Sequence, residues 1–497
     1  MKKEKDWFRL KKYPHIGLPL KAIDRPWVTA YITTEAKVAA HAFYPLIHRS
    51  KVVRKYRKKV DKETGARSVL RYASSKPRQL YYANHLDACI YGYYAKNLNA
   101  AYEEKLNKFG LNNAVTAYRR IAVRPGNPKS VNKSSADFAA EVFQYILDHE
   151  EDDLVAITFD IKGFFDTLEH GRLKKAWYEI NDSKTLTEAE YNIFKSLTDF
   201  AFVNENEIFE HFKAQILTET PSGIQKIKPI KRFKHLKDSH AIAYCDLNGV
   251  KSLRNANLIV GNNAVSGYYK RGIGIPQGTP MSAVLANVYM LPFDYSINET
   301  VRKIRGLYRR YSDDMIVVCS EKHCADILLA FETAIAERKL EIQHDKTQIF
   351  KFSREGGRFR CSQVYDKGIH LTKNLEYLGF EFDGEHTFLK SASLASYYRK
   401  MKRAVQRSRY YSKSVKHSKS VGQLFQTRLY KKYTYLGAKR RRIYVQDKKD
   451  PSNWIKTETH NWGNYISYAH LAANKLPNNK IRGQVRRHWV ILNKLIN

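Results

Sequence analysis

Two short stretches pair an apolar run with acidic residues at its end. Met315-Ile316-Val317-Val318 follows Arg309-Arg310-Tyr311-Ser312-Asp313-Asp314, so a buried strand is expected with Asp313 and Asp314 at the tip of a β-hairpin. Ile157-Thr158-Phe159 ends in Asp160, and Lys162-Gly163-Phe164-Phe165-Asp166 then reads as a turn into helix. Helical spacing of Leu86, Ile90, Tyr93, Tyr94 and Leu98 predicts a helix over 84–107. A second helix is expected to begin at Ser134 or Ser135, after a loop at Pro125-Gly126-Asn127-Pro128. Arg71 to Tyr82 has the pattern of a short strand pair, and Lys51 to Lys59 reads as a solvated helix face or as a phosphate contact.

Charge then sets the expected partner. The 497 residues include 87 Lys and Arg against 49 Asp and Glu, a formal net charge of +38, which points to a polyanion. Between Glu385 and Asp447 no acidic residue occurs, while Arg399, Lys400, Arg403, Arg407, Arg440 and Arg441 stand among tyrosines. A one-sided run of this length repels itself unless phosphates lie against it. Five scattered cysteines give no zinc spacing and no disulfide framework. The amino terminus has no apolar core of a secretory signal, and no stretch is apolar enough to span a membrane, so a cytoplasmic location is expected.

Neighbouring carboxylates at strand ends repel, which makes sense where divalent cations neutralise them. A polar turn is the plainer reading of Ser312-Asp313-Asp314 taken alone. If the two strands share a sheet, Asp160 and Asp313 meet at its edge and can share two magnesium ions. That pair of ions suits in-line phosphoryl transfer. A third stretch, Gly272-Ile273-Gly274-Ile275-Pro276-Gln277-Gly278-Thr279-Pro280-Met281-Ser282, joins glycines that admit close backbone approach to a side chain able to bond a sugar or base.

In this order the three stretches resemble those of reverse transcriptases: Asp160 falls on the first metal aspartate, Gln277 on the Pro-Gln-Gly loop, and Asp313-Asp314 on the Tyr-x-Asp-Asp box. Leu340 to Thr347 and Leu375-Glu376-Tyr377-Leu378-Gly379-Phe380 resemble the following motif and the primer grip, so the likeness runs over about 70–385. It implies an α+β right-hand polymerase fold of fingers, ferredoxin-like palm and helical thumb. We expect fingers in 1–155, a palm in 156–385 with an insertion at about 181–270, a basic helical thumb in 386–445 and a helical extension in 446–497. The implied metal ligands are Asp160, Asp313, Asp314 and the Ile161 backbone, holding two Mg2+ ions. Arg78, nine residues before Asp87, falls on the arginine that grips the incoming triphosphate. Arg119 falls on a pocket-shaping arginine, Gln277 lines the same pocket, and Phe165 takes the place of the residue that excludes a ribose hydroxyl. Lys346 has two readings, a donor to the leaving pyrophosphate and a surface lysine paired with Asp345 or a phosphate.

Ala117-Tyr118-Arg119, Lys133 to Ala139, and Phe164 to His170 with Trp177 resemble the defence-associated, abortive-infection reverse transcriptases, which are related to retron and group II intron enzymes. That likeness implies an antiphage role with a structured non-coding RNA, deoxynucleotide triphosphates as substrates, a DNA product and an oligomer as an open possibility. A retron or intron enzyme, and a maturase-like RNA-binding protein without catalysis, are the alternatives. The 34 tyrosines leave priming by a protein hydroxyl open beside core packing and base stacking.

Overall fold

The computed structural model describes residues 6–61, 63–64, 66–127, 130–150, 153–220, 223–262, 272–365, 368–370, 373–413, 424–438, 442–446, 450, 453–460 and 463–497. Its centre is a six-stranded antiparallel sheet in the order Leu307–Tyr311, Asp314–Ser320, Leu154–Asp160, Gln348–Glu355, Arg358–Tyr365, Gly368–His370. Side chains on successive strand residues point to opposite faces, and here both faces are covered. Val155, Ile157, Phe159, Met315 and Val317 enter one core with the helices His85–Lys108, His170–Ile180, Ser282–Lys303 and Cys324–Glu337. Leu154, Ala156, Ile316, Val318, Phe350 and Phe352 enter a second, with the helix Ser135–Asp148 and the carboxyl-terminal helices. Two-sided burial is why the strands bearing Asp160 and Asp314 read as unbroken apolar runs rather than as alternating ones.

The helix Ser135–Asp148 starts from Ser134, whose backbone N–H donates to Asp137 at 2.7 Å. The expected insertion contains more strand than anticipated. Ile216–Glu219, Gln225–Lys228 and Ala241–Cys245 join His15–Ile16 in a small sheet around Ile208, Phe209, Phe212 and Tyr244. Lys226 and Lys228 are exposed on its outer strand, where charge discourages edge pairing.

Two expectations are corrected in the amino-terminal third. Lys51 to Lys59 is not helical, and Arg71 to Tyr82 is not a strand pair in itself. Both belong to one long hairpin, Leu46–Val60 with Arg67–Tyr82, in register from Ile47 opposite Tyr82. Valines and Tyr56 favour strand, and Asp61, which accepts from the Thr64 N–H at 2.8 Å, closes the turn.

At the carboxyl end the helix Ser391–Ser412 buries Tyr397, Met401 and Val405. The helices Tyr465–Ala473, Ile481–Val485 and His488–Ile496 pack into the same core. Residues 446–497 are not wholly helical, because Arg442–Gln446 pairs with Trp454–His460 as a hairpin spanning the boundary expected at 445. All five cysteines are free thiols, four of them buried. Among the described residues no helix is long and apolar enough to cross a membrane.

Candidate active site

The hairpin Leu307–Tyr311/Asp314–Ser320 pairs Tyr311 with Asp314, leaving Ser312 and Asp313 as a two-residue turn. Ser312 takes a left-handed φ of 63°, a conformation that costs a serine about 1 kcal/mol and is held by its surroundings. On the other side of the strand Asp314–Ser320 lies Leu154–Asp160, in a register that sets Asp314 directly opposite Asp160. Directly opposed residues of an antiparallel pair share a face with Cα atoms about 5 Å apart. The two strands thus share one sheet as expected, with Asp160 opposite Asp314 and Asp313 beside them in the turn. Sequence spacing alone could not show which aspartate faces Asp160, because one residue of register decides it.

The clustered carboxylates repel one another. Desolvation, then the charges of Asp313 and Asp160, push the Asp314 carboxyl up to about 6. Asp314 keeps exposed surface, so crowding rather than enclosure desolvates it. The repulsion, present whatever the solvent access, fixes the direction. Lys346 Nζ donates to Asp160 Oδ1 at 2.8 Å, an ion pair with one of the clustered carboxylates. Among the described residues no group of three or more His, Cys, Asp or Glu side chains is gathered closely enough to hold a metal ion by itself. The donor set nevertheless fits magnesium, which takes one or two carboxylates and draws its remaining ligands from water and substrate phosphates. Ile161 continues the strand at the site, buried and bridged to Ile342.

Around this edge the other expected residues separate. Phe164 is core at 4% exposure, while Phe165 is half-buried beside it. The Phe165 carbonyl accepts from the Ile275 N–H at 2.9 Å, which ties the turn after Asp160 to the Pro-Gln-Gly loop. The Gln277 carbonyl accepts from the Tyr81 N–H at 2.8 Å, and this joins the loop to the long hairpin on which Arg78 stands exposed. Gly278 has a φ of 127°, and a Cβ there would lie 2.4 Å from the Tyr81 carbonyl oxygen. Gly278→Ala is therefore expected to break this junction at a cost of about 2–3 kcal/mol. Denaturant unfolding checks the loss, and an unchanged midpoint would contradict the close approach.

Arg119 is corrected. Its Nε and Nη2 donate to Glu103 at 2.9 and 2.6 Å, its Nη1 to the carbonyls of Asn112 and Val115, and Nη2 again to the Asn112 amide oxygen. With all five donors engaged, none is left for a triphosphate. Arg119 instead holds the loop behind Tyr118, while Arg120 is exposed. Arg119→Ala is expected to lower stability by about 2–3 kcal/mol and to leave the KM for nucleotide near that of the parent. Thermal unfolding beside steady-state kinetics separates this from a pocket role, which would raise KM at unchanged stability.

Sequence reasoning missed the scaffold behind the aspartates. Arg310 is fully buried and donates to both oxygens of Asp294 at 2.7 and 2.6 Å, to Asn287 and to the Ser312 carbonyl, both at 3.2 Å. Asn287 in turn donates to the Ala117 carbonyl at 3.1 Å, and the hydroxyls of Tyr118 and Ser312 lie 3.0 Å apart. The helix Ser282–Lys303 thereby grips the turn through its polar side chains. The available signal was Arg310 at the inward parity of a strand, on the same face as Tyr308, where a buried cation demands an acid.

On the carboxyl-terminal helix Arg399, Arg403 and Arg407 recur every fourth residue and are exposed with Lys400, opposite the buried Tyr397, Met401 and Val405. Arg440 and Arg441 lie outside the described residues.

An antiparallel sheet carrying paired aspartates at its edge, with a glycine loop docked beside them, is the arrangement of a metal-dependent nucleotidyl-transfer site. Residues 227–382 match the family model described as reverse transcriptase (RNA-dependent DNA polymerase), so this segment is similar to reverse transcriptase domains. That span holds Gln277, Asp313, Asp314 and Lys346, and the strand register adds Asp160 to them. Comparison with curated proteins gives no match. Among solved structures, a carboxyl-terminally truncated apo telomerase from Candida tropicalis is 12% identical, with 73% of this chain and 59% of that chain covered and a TM-score of 0.28. Telomerase from Candida albicans with a fragment of telomeric RNA is 12% identical, with 77% and 53% covered and a TM-score of 0.32. The chain thus spans less than two thirds of these telomerases.

Proposed function

We propose that the protein is an RNA-associated reverse transcriptase that adds deoxynucleotides to a growing DNA strand at the Asp160/Asp313/Asp314 edge. The observation that carries this is the register placing Asp314 opposite Asp160 within a chain whose 227–382 segment matches the reverse transcriptase family. Asp160, Asp313, Asp314 and the Ile161 carbonyl would hold two Mg2+ ions. When bound, these supply Lewis-acid chemistry, lowering the pKa of the attacking 3′-hydroxyl and neutralising charge on the leaving pyrophosphate.

The chain's own residues supply position and charge. Arg78, exposed on the hairpin strand whose Tyr81 touches the Gln277 loop, reaches for the triphosphate with a guanidinium suited to paired phosphate oxygens. Gln277 lines the nucleotide pocket. Lys346, held against Asp160 yet 45% exposed, is placed to bond or protonate the departing phosphate. The half-buried ring of Phe165 crowds the sugar edge and selects deoxyribose. Phe165→Ala is expected to raise the efficiency of ribonucleotide use relative to deoxynucleotide by about tenfold to a hundredfold. A competition between labelled ribo- and deoxynucleotides reads this out, and an unchanged ratio would return Phe165 to a packing role.

The arginine stripe of Ser391–Ser412 suits the backbone of RNA or of the duplex product. The resemblance at 117–119, 133–139 and 164–170 supports an antiphage role with a structured non-coding RNA as template or scaffold. The test is to purify the protein with its bound RNA, supply labelled deoxynucleotides singly and together with magnesium, and repeat after RNase. DNA synthesis that RNase abolishes, with phage plating restored by Asp313→Asn, is the expected result. Tight RNA binding without incorporation under any mixture would replace this reading with a non-catalytic RNA-binding protein.

A further inference from the structure

The turn after Asp160 and the Pro-Gln-Gly loop are sewn together along a short antiparallel seam. The Phe165 carbonyl accepts from the Ile275 N–H at 2.9 Å, the Leu168 carbonyl accepts from the Gly274 N–H at 2.8 Å, and Glu169 bridges to Ile273 between them. His170 closes the far end twice over. Its backbone N–H donates to the Gly272 carbonyl at 2.9 Å, and its ring Nε2 lies 2.7 Å from the Gly274 carbonyl oxygen. A carbonyl oxygen can only accept, so Nε2 carries the proton. The backbone bonds of the seam do not depend on which side chain stands at 170, but the ring bond does.

The two sides of the seam differ in stiffness. Gly272 and Gly274 take left-handed φ angles of 85° and 88°, which glycine enters and leaves without strain, so this part of the loop does not hold its own shape. The side bearing His170 does. Glu169 caps the helix His170–Ile180, accepting from the Gly171 and Arg172 N–H groups at 3.1 and 2.8 Å, and Leu168 and Leu173 are fully buried on either side. The His170 ring is half-buried, with the Phe194 ring edge-on at 6.4 Å. Desolvation holds its pKa below the ordinary value, against the Gly274 bond and the charges of Glu169 and Asp199, so the ring is a neutral donor at pH 7. Past Ile275 the loop is fixed again, where Ser282 Oγ donates to the Pro276 carbonyl at 2.5 Å and Tyr81 bonds the Gln277 carbonyl.

We propose that His170 is a positioning residue for sugar selection: by pinning the Gly274 carbonyl to a rigid helix start, it sets the gap between the Phe165 ring and the Pro-Gln-Gly loop in which the nucleotide's sugar lies. The proposal rests on the polymerase reading and on Phe165 as the side chain that excludes ribose. A ring rejects one extra hydroxyl only while both walls of the gap are held, since a loosened wall gives the oxygen room.

The test measures labelled ribo- and deoxynucleotide incorporation by the RNA-bound full chain. His170→Ala and His170→Phe remove the donor, and the second keeps a ring in place should the first unfold. Both are expected to raise the ribo-to-deoxy efficiency ratio about fivefold or more, with the change in KM rather than in kcat. His170→Gln keeps an N–H donor and should stay within about twofold of the parent. Because His170 acts through Phe165, adding His170→Ala to Phe165→Ala should move the ratio by less than about twofold. Amide exchange without nucleotide should quicken at Gly274 and Ile275 in the donor-free variants and not in His170→Gln.

An unmoved ratio in donor-free variants of an active parent would overturn the proposal and leave the polymerase reading intact. So would His170→Gln as permissive as His170→Ala, His170→Phe as selective as the parent, or full additivity with Phe165→Ala. Unchanged amide exchange would overturn the anchor itself. A parent that incorporates neither nucleotide would instead overturn the polymerase reading, and the sugar-selecting role with it.

Discussion

Asp314→Asn is expected to abolish nucleotide incorporation, by on the order of a thousandfold or more, and at the same time to stabilise the metal-free protein. The two effects have one origin. Desolvation by its crowded neighbours and the charges of Asp313 and Asp160 push the Asp314 carboxyl up to about 6, above its ordinary value of 3.8. A raised carboxyl binds its proton more tightly in the folded chain, so its penalty is small below about pH 4, grows between 4 and 6, and is complete above 6. An uncharged amide removes that penalty. Discounted for solvent screening, the gain at pH 7 is on the order of 1 kcal/mol. Thermal unfolding in chelator should show the variant more stable than the parent at pH 7, with the difference shrinking toward pH 4. A variant that is inactive and less stable at pH 7 would mean that Asp314 is a structural acid rather than a repelled metal ligand.

The second large effect lies behind the turn. Arg310→Met leaves Asp294 buried without its partner, which costs about 3–5 kcal/mol. It also removes the donor to the Ser312 carbonyl. Adding Asp294→Asn removes the orphaned charge and keeps an acceptor for the Tyr308 hydroxyl, which lies 2.8 Å from Asp294. Most of the stability should return, since replacing a buried ion pair by neutral groups is often close to neutral. Activity should not return, because the turn that presents Asp313 has lost its anchor. Denaturant unfolding and incorporation assays on the single and double variants decide this. Recovery of both properties together would reduce Arg310 to an ordinary core contact.

The sequence made some of this legible and hid the rest for physical reasons. The strand ending in Asp160 and the one beginning at Asp314 could be read because two-sided burial writes a continuous apolar run. The hairpin tip could be read because Ser312-Asp313 is turn chemistry. The long ribbon could not, since a strand pair solvated on both faces has no apolar alternation to betray it. Arg119 misled because a guanidinium satisfies backbone carbonyls as readily as phosphates, and only the Glu103 pairing distinguishes the two. Asp294 was invisible because an acid in a helix reads as surface until its buried cation is placed beside it.

Asp160 is the one of the three proposed metal ligands that lies outside the matched family segment, and strand register sets it opposite Asp314. The most direct measurement is therefore magnesium-dependent incorporation of labelled deoxynucleotides by the RNA-bound protein, parent against Asp160→Asn, with RNA retention and thermal unfolding followed in parallel. Loss of incorporation with fold and RNA binding intact is the predicted result. Incorporation by Asp160→Asn at the parental rate would contradict the site described here.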